Sequence, residues 1–182
     1  MRDHIIETAS RLFYANGIRA VGMDRVIAEA DIAKATLYRH FPTKEQLIVA
    51  YLRTRSLHVL SSMKSAIRSA GDSPTKRVTG LFRLLERDAH SAEFRGCAFM
   101  LAVAEHEESE AIRDVARAHK DAVKRVFLHA VSGSGKAGAK RLAEQLALLH
   151  DGALASILVY RNPQAAKTAA FIAGELLALM PA

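Results

Sequence analysis

The run from Val26 to Glu45 constrains this chain more than any other. It holds two short apolar-periodic segments, a turn residue between them, and a proline that closes the second. Val26, Ile27 and Ala30 are apolar at i, i+1 and i+4, so one face of a first helix can be buried. Asp31 ends that helix, because its side chain competes with the backbone for hydrogen bonds, and Ile32 supplies an apolar plug in the turn. Helical spacing resumes from Ala33 to Phe41, with Leu37 and Phe41 facing inward. Pro42 removes an amide and stops the helix; Thr43 then caps the next one, with Gln46 at the capping-box position. The outer face of the second segment keeps Lys34, Thr36, Tyr38, Arg39 and His40. Such donors and planar rings suit phosphates and base edges. Two short helices joined by a tight turn are the layout of a helix-turn-helix, whose second helix enters a DNA major groove. Spacing alone also fits a small helical subdomain with a solvated polar face.

The run Ala35-Thr36-Leu37-Tyr38-Arg39-His40-Phe41-Pro42-Thr43-Lys44-Glu45 resembles the signature of the TetR family of bacterial repressors. That signature has a small and a polar residue, Leu-Tyr, any residue, His-Phe, then Ser or Thr before Lys-Glu. The resemblance extends over roughly the first 55 residues. Upstream, Ile5, Ala9, Leu12 and Phe13 fall at helical spacing and Asn16-Gly17 makes a stop, matching the family's first helix. This chain enters that helix almost at once, leaving little N-terminal arm for extra DNA contacts. Two places depart from the pattern. The usual Thr or Ser cap of the second helix is replaced by Val21-Gly22, and the usual Gly-Val-Ser turn reads Asp31-Ile32-Ala33. Without the turn glycine, Asp31 itself has to take any left-handed geometry.

The charge distribution agrees with a nucleic-acid partner. The chain carries a formal net charge of +7. Residues 1–77 hold 13 Lys and Arg against 7 Asp and Glu, and the remainder 13 against 12, so the excess lies with the helix-turn-helix. The single cysteine, Cys97, excludes an intramolecular disulfide and fits a reducing cytoplasm. The first residues do not form a signal peptide, and no uncharged apolar run reaches membrane-spanning length, since Lys167 and Glu175 interrupt the apolar tail. The expected location is cytoplasmic, with no membrane partner.

Almost everything after the helix-turn-helix reads helical, and no strand is expected. One long helix covers 43–69, and Gly71-Asp72-Ser73-Pro74 ends it and opens another bearing Val78, Leu81, Phe82 and Leu85. A short apolar helix runs from Cys97 to Glu105, another lies near 109–131, and two close the chain at about 139–160 and 164–180, split by Asn162-Pro163. The fold class is therefore all-α. Residues 1–46 form a three-helix, helix-turn-helix DNA-binding domain. The long helix joins it to a helical effector-binding and dimerisation domain at 47–182. Arg95-Gly96-Cys97 with Ala102, Ala104 and Glu105 resembles, more loosely, a pattern in one branch of the family whose following residues build a ligand-binding domain.

Helices 139–160 and 164–180 carry apolar residues on more than one stripe. A surface that wide needs a partner besides one core, or else lines the chain's own interior. The family resemblance implies the former: a homodimer through these two helices.

Other chemistry is poorly represented. Gly133-Ser134-Gly135-Lys136 lacks the leading glycine and the final Ser or Thr of a phosphate loop, where Ala130 and Ala137 stand, and reads as an interhelical loop. Glu105, His106, Glu107, Glu108 and Glu110 point to different sides of a helix end, so no metal is expected. Cys97 reads as a packing cysteine. His150-Asp151, in an apolar helix, is either polar lining of a cavity or a hydrogen-bonded core pair. With no nucleophile–base constellation and no acid pair, the chain is not read as an enzyme and no cofactor is expected.

The resemblance then implies the site residues. Lys34, Thr36, Tyr38 and His40 match the family's DNA contacts, Arg39 falls at a variable place, and Lys44 meets phosphate at a helix N-terminus. Phe82, Leu85, Phe99, Met100, Val103, Phe127 and His150 are the candidate lining of an effector pocket. The function so implied is that of a regulator, most simply a repressor, released from a near-palindromic double-stranded operator by a small, largely apolar ligand. A regulator that is ligand-independent, or switched by a protein partner, is the alternative.

Overall fold

The structure, a computed structural model, describes residues 1–132 and 138–179. Among these there are nine α-helices and no strand. They are α1 (Arg2–Asn16), α2 (Met23–Ala30), α3 (Lys34–His40), α4 (Lys44–Ser69), α5 (Pro74–Ala89), α6 (Ala98–Glu105), α7 (Glu110–Val131), α8 (Ala139–Tyr160) and α9 (Gln164–Ala178). The all-α expectation and the order of helices hold. The glycine-rich stretch 133–137 and Met180 lie outside the described residues.

The helix ends follow from local chemistry. Gly17 closes α1 at φ 88°, donating its amide to the Phe13 carbonyl. Gly22 caps α2 in an extended conformation, so the missing hydroxyl costs a side-chain cap but not the helix. Asp31 does take the left-handed region (φ 50°, ψ 53°), as the absence of a turn glycine demanded. Its amide, with that of Ile32, caps the end of α2. Thr43 Oγ1 accepts the Gln46 amide at 3.2 Å and starts α4. Ser73 accepts the Lys76 amide ahead of Pro74, which stands in the first turn of α5.

The chain folds as two compact units. Met1–His58 and Ala98–His119 make one; Val59–Cys97 and the described residues of Lys120–Ala182 make the other. In the first unit α1 supplies Ile5, Ala9, Leu12 and Phe13 to a buried interior that also takes Val26, Leu37, Phe41, Leu47, Ile48 and Tyr51. Phe13 meets Tyr51 edge-on, with centroids 5.6 Å apart. The Arg55 guanidinium lies 3.7 Å over the Tyr14 ring, a second tie between α1 and α4. Within this unit Ser109 Oγ accepts the Ile112 amide, starting α7, and donates to Glu45.

The second unit is built on Met63, Val78, Leu81, Phe82, Leu85, Val126, Phe127, Leu142, Leu146, Ala169 and Ala173. Helices α5, α8 and α9 pack together in it. The break before α6 needs a glycine: Gly96 has φ 72°, and a Cβ there would sit 3.2 Å from Leu158. α8 is, by length and composition, apolar enough to cross a membrane, although only a third of its most apolar window is buried. It carries Lys140, Arg141, Glu144 and Asp151, so it is not an uncharged apolar run. Cys97 is half-buried, not wholly enclosed.

The left-handed residue between α2 and α3 gives a direct test. Asp31→Asn or Asp31→Gly leaves stability within about 0.5 kcal/mol, whereas Asp31→Val costs about 1–2 kcal/mol. Urea unfolding checks this; equal midpoints for the three variants would refute the assignment.

Candidate nucleic-acid interface

Helix α3 is only seven residues long, and it is held by what it buries rather than by its own propensity. Leu37 is fully buried, and Phe41, one residue past the helix, is too. His4 Nε2 donates to the Ala30 carbonyl at 2.9 Å, satisfying the end of α2. Arg2 lies 5.1 Å over the Phe41 ring. With Leu37 and Phe41 fixed inward, the remaining positions of α3 have no choice of direction.

The outward side carries what the sequence placed there. Lys34, Ala35, Tyr38 and Arg39 are exposed, while Thr36 and His40 are half-buried. Lys34 Nζ pairs with Asp24 Oδ1 at 3.2 Å and stands 6.0 Å from the Tyr38 ring centroid. Thr36 is set by its amide, which donates to Ala33 O at 2.9 Å in the first turn of α3. Arg39 and His40 make no hydrogen bond or ion pair among the described residues, and His40 borders a groove of about 400 Å³ with Arg2, Phe41 and Arg53. Asp24 was not anticipated. It stands ten residues before Lys34, and no helical spacing links the two; only the turn brings them together.

Lys44, in the first turn of α4, is half-buried and reaches the Arg19 carbonyl at 3.5 Å. Burial pushes its ammonium down from the ordinary lysine value, and Glu105 pushes it part of the way back. The sequence places Glu105 in a solvated helix end and in the looser family pattern with Arg95-Gly96-Cys97, and neither reading anticipates these partners. Its contacts with residues 17–19 join parts of the chain 86 positions apart, which no local pattern records.

The seven candidate pocket residues divide between the units. In the second, Phe82, Leu85 and Phe127 are buried, with the two Phe centroids 5.9 Å apart. The His150 ring lies 6.2 Å from Phe82 and 5.8 Å from Phe127. In the first, on α6, Phe99 is buried and stacked on His119 (3.6 Å, 7°), Val103 is half-buried and Met100 is exposed. His119, considered for a metal, takes a hydrogen bond with Ser56 Oγ at 2.9 Å instead.

His150-Asp151 resolves into two environments. Asp151 Oδ1 accepts from Lys120 Nζ at 2.6 Å, while His150 Nδ1 stands 3.9 Å from that carboxylate and has no hydrogen-bond partner. Burial raises the Asp151 carboxyl, but the His150 imidazole and the Lys120 ammonium outweigh it and hold it below the usual carboxylate value. The geometry assigns most of that hold to Lys120.

Comparison with known proteins agrees with this geometry. Residues 5–51 match the family described as bacterial regulatory proteins, tetR family. The crystal structure of a TetR-family transcriptional regulator from Streptomyces coelicolor is similar over 97% of this chain and 88% of that one, with a TM-score of 0.88 and 31% identity. The HTH-type transcriptional activator FasR of Mycolicibacterium smegmatis is 30% identical over 48% of this chain and 42% of its own length. The HTH-type transcriptional repressor KstR of Rhodococcus jostii is 33% identical over 56% and 48%. The alignments thus span less than half the length of these two relatives.

The half-buried Lys120–Asp151 pair predicts an acid-side stability term. A carboxyl held below its unfolded value, about 3.9, stabilises the fold above that pH and loses the contribution as pH falls through the folded value. Asp151→Asn should therefore be less stable than the parent at pH 7, with the gap closing below about pH 4. A gap independent of pH in thermal melts would show that the ion pair contributes nothing.

Proposed function

The chain belongs to the TetR family of bacterial regulatory proteins, and from that premise we propose that it is a DNA-binding transcriptional regulator. In the fuller reading it is a cytoplasmic repressor, released from a near-palindromic operator by a small, largely apolar ligand. Its family consists of regulators, not enzymes. The observation that carries the reading is the α2–α3 pair. Leu37 and Phe41 are buried, and the opposite side of α3 offers Lys34, Thr36, Tyr38, Arg39 and His40. DNA binding is assigned to 1–46 and effector binding and dimerisation to 47–182.

In this mechanism α3 lies in a major groove, and Lys34, Thr36, Tyr38 and His40 make its contacts, with Arg39 beside them and Lys44 on a phosphate. The ammonium of Lys34 exchanges Asp24 for DNA. Both partners of that pair are more than half exposed, so the exchange costs little. Each subunit of a homodimer serves one half-site.

Two features of α8 and α9 support the dimer. Leu148, Tyr160 and Phe171 are 75%, 77% and 70% exposed, an unusual state for large apolar side chains on packed helices. A Cβ at Gly152, inside α8, would meet nothing in this chain, so its own packing does not call for a glycine there. An effector releases DNA only if it binds one subunit spacing better than the other. Phe82, Phe127 and His150 form the aromatic cluster in the second unit that favours such a ligand, with Leu85 buried in the same core; Phe99, Met100 and Val103 are the α6 candidates. Partner-controlled or ligand-independent regulation is the alternative.

Mobility shift on the DNA flanking the gene, across a salt series, tests the reading. Saturable binding to one near-palindrome is expected. Lys44→Ala should weaken all sequences alike and lower the salt slope by about 1, while Thr36→Ala should change base preference. Uniform weak binding to all DNA would refute sequence-specific regulation.

The dimer has its own test. Leu148→Glu with Phe171→Glu should give a folded monomer by light scattering, with unchanged helicity and operator affinity lowered at least about tenfold. A dimer that persists in the double variant would exclude these helices from the interface.

A further inference from the structure

The carboxylate of Glu105 is placed where helix physics disfavours it. It is the last residue of α6, at the negative end of the helix dipole. It is nevertheless the point at which α6 engages the α1–α2 loop. Glu105 Oε2 accepts the Arg19 amide at 2.5 Å. The Arg19 guanidinium returns to the Glu105 carbonyl at 2.8 Å, which satisfies the helix end. Gly17 lies under the same carboxylate, since a Cβ built on it would be 3.5 Å from Oε1. On the other side of the Arg19 residue, its carbonyl faces Lys44 Nζ at 3.5 Å. One loop residue therefore bridges an anion at the end of α6 and the cation at the start of α4. All of these groups belong to the first compact unit.

We propose that Glu105 is a positioning residue of the DNA interface. It holds the loop that leads into α2, and it is the resident counter-charge for Lys44, which a phosphate has to outbid. The proposal rests on the reading of Lys44 as a phosphate anchor. Two consequences follow for DNA binding. While Glu105 is in place, the α1–α2 loop is fixed and the attraction of Lys44 for any phosphate is reduced.

The two roles separate by substitution. Glu105→Gln keeps an oxygen to accept the Arg19 amide but removes the charge. Glu105→Ala removes both. The probe is a short labelled duplex of arbitrary sequence, titrated by anisotropy at low and high salt with the full-length protein. Glu105→Gln should tighten binding about threefold at low salt, and the gain should fade at high salt. On a Lys44→Gln background the same substitution should have almost no effect, because the charge it relieves is gone. Hydrogen exchange at residues 17–21 should rise in Glu105→Ala and stay at the parent level in Glu105→Gln. If Glu105→Gln leaves binding unchanged, or acts equally with and without Lys44, the counter-charge role is overturned. Unchanged exchange in Glu105→Ala overturns the loop role. A parent protein that binds neither this duplex nor the DNA flanking its gene at any salt overturns the regulator reading itself and this inference with it. That result is distinct from the others because it needs no variant.

Discussion

Everything at the proposed recognition surface depends on the burial of two side chains, Leu37 and Phe41. A helix of seven residues is below the length at which backbone hydrogen bonds alone repay nucleation, so α3 exists because its inner side is anchored. Fully burying a Leu and a Phe contributes about 1.5–3 kcal/mol each, comparable with the whole cost of nucleating a short helix. Because both anchors lie on one side, they also fix its rotation. Lys34, Tyr38 and Arg39 are outward as a geometric consequence, and no separate interaction is needed to aim them. Asp31 completes the constraint. Its left-handed conformation sets the turn that brings Asp24 and Lys34 within 3.2 Å of each other.

The cations of this surface are not all free. Lys34 is shared with Asp24, and Lys44 sits within the influence of Glu105, whereas Arg39 and His40 are unpaired among the described residues. A surface built only for affinity would leave every cation bare. Paired carboxylates lower non-specific attraction to the DNA backbone, which depends on charge alone, more than they lower binding that also has base contacts to offer. The +6 excess of the N-terminal 77 residues gives the long-range field; the local acids temper it at the contact positions.

What the sequence made legible is what local chemistry decides. Ser73-Pro74, Thr43 with Gln46, Asn16-Gly17 and Asn162-Pro163 mark helix ends because caps and breakers act within a turn of themselves. The strain at Asp31 was legible for the same reason. Contacts between distant segments were not. Arg19 with Glu105, Ser56 with His119 and Lys120 with Asp151 are joined only by tertiary packing. Burial along α6 was equally opaque. The sequence AFMLAVAE is apolar on every side until its last residue, so nothing in its periodicity distinguishes buried Phe99 from exposed Met100. The candidate pocket residues divided between two units for that reason: periodicity names apolar positions without saying which interior they serve.

The proposed dimer follows from an energetic mismatch in each of the two units. A recognition helix of seven residues reaches three or four base edges, and each good contact discriminates by about 1–3 kcal/mol, too little to single out one site among the many in a genome. Two copies on a near-palindrome double that discrimination at no cost in new sequence. In the second unit, Leu148, Tyr160, Phe171 and Leu179 leave large apolar area in water. Their burial against a second copy would contribute on the order of 6–12 kcal/mol, the same range as the freedom two chains lose on associating. Close helix approach at Gly152 would add to it, since a Cβ there meets nothing among the described residues. In the proposed dimer, the surface that α8 and α9 leave exposed would supply the specificity that α3 alone lacks.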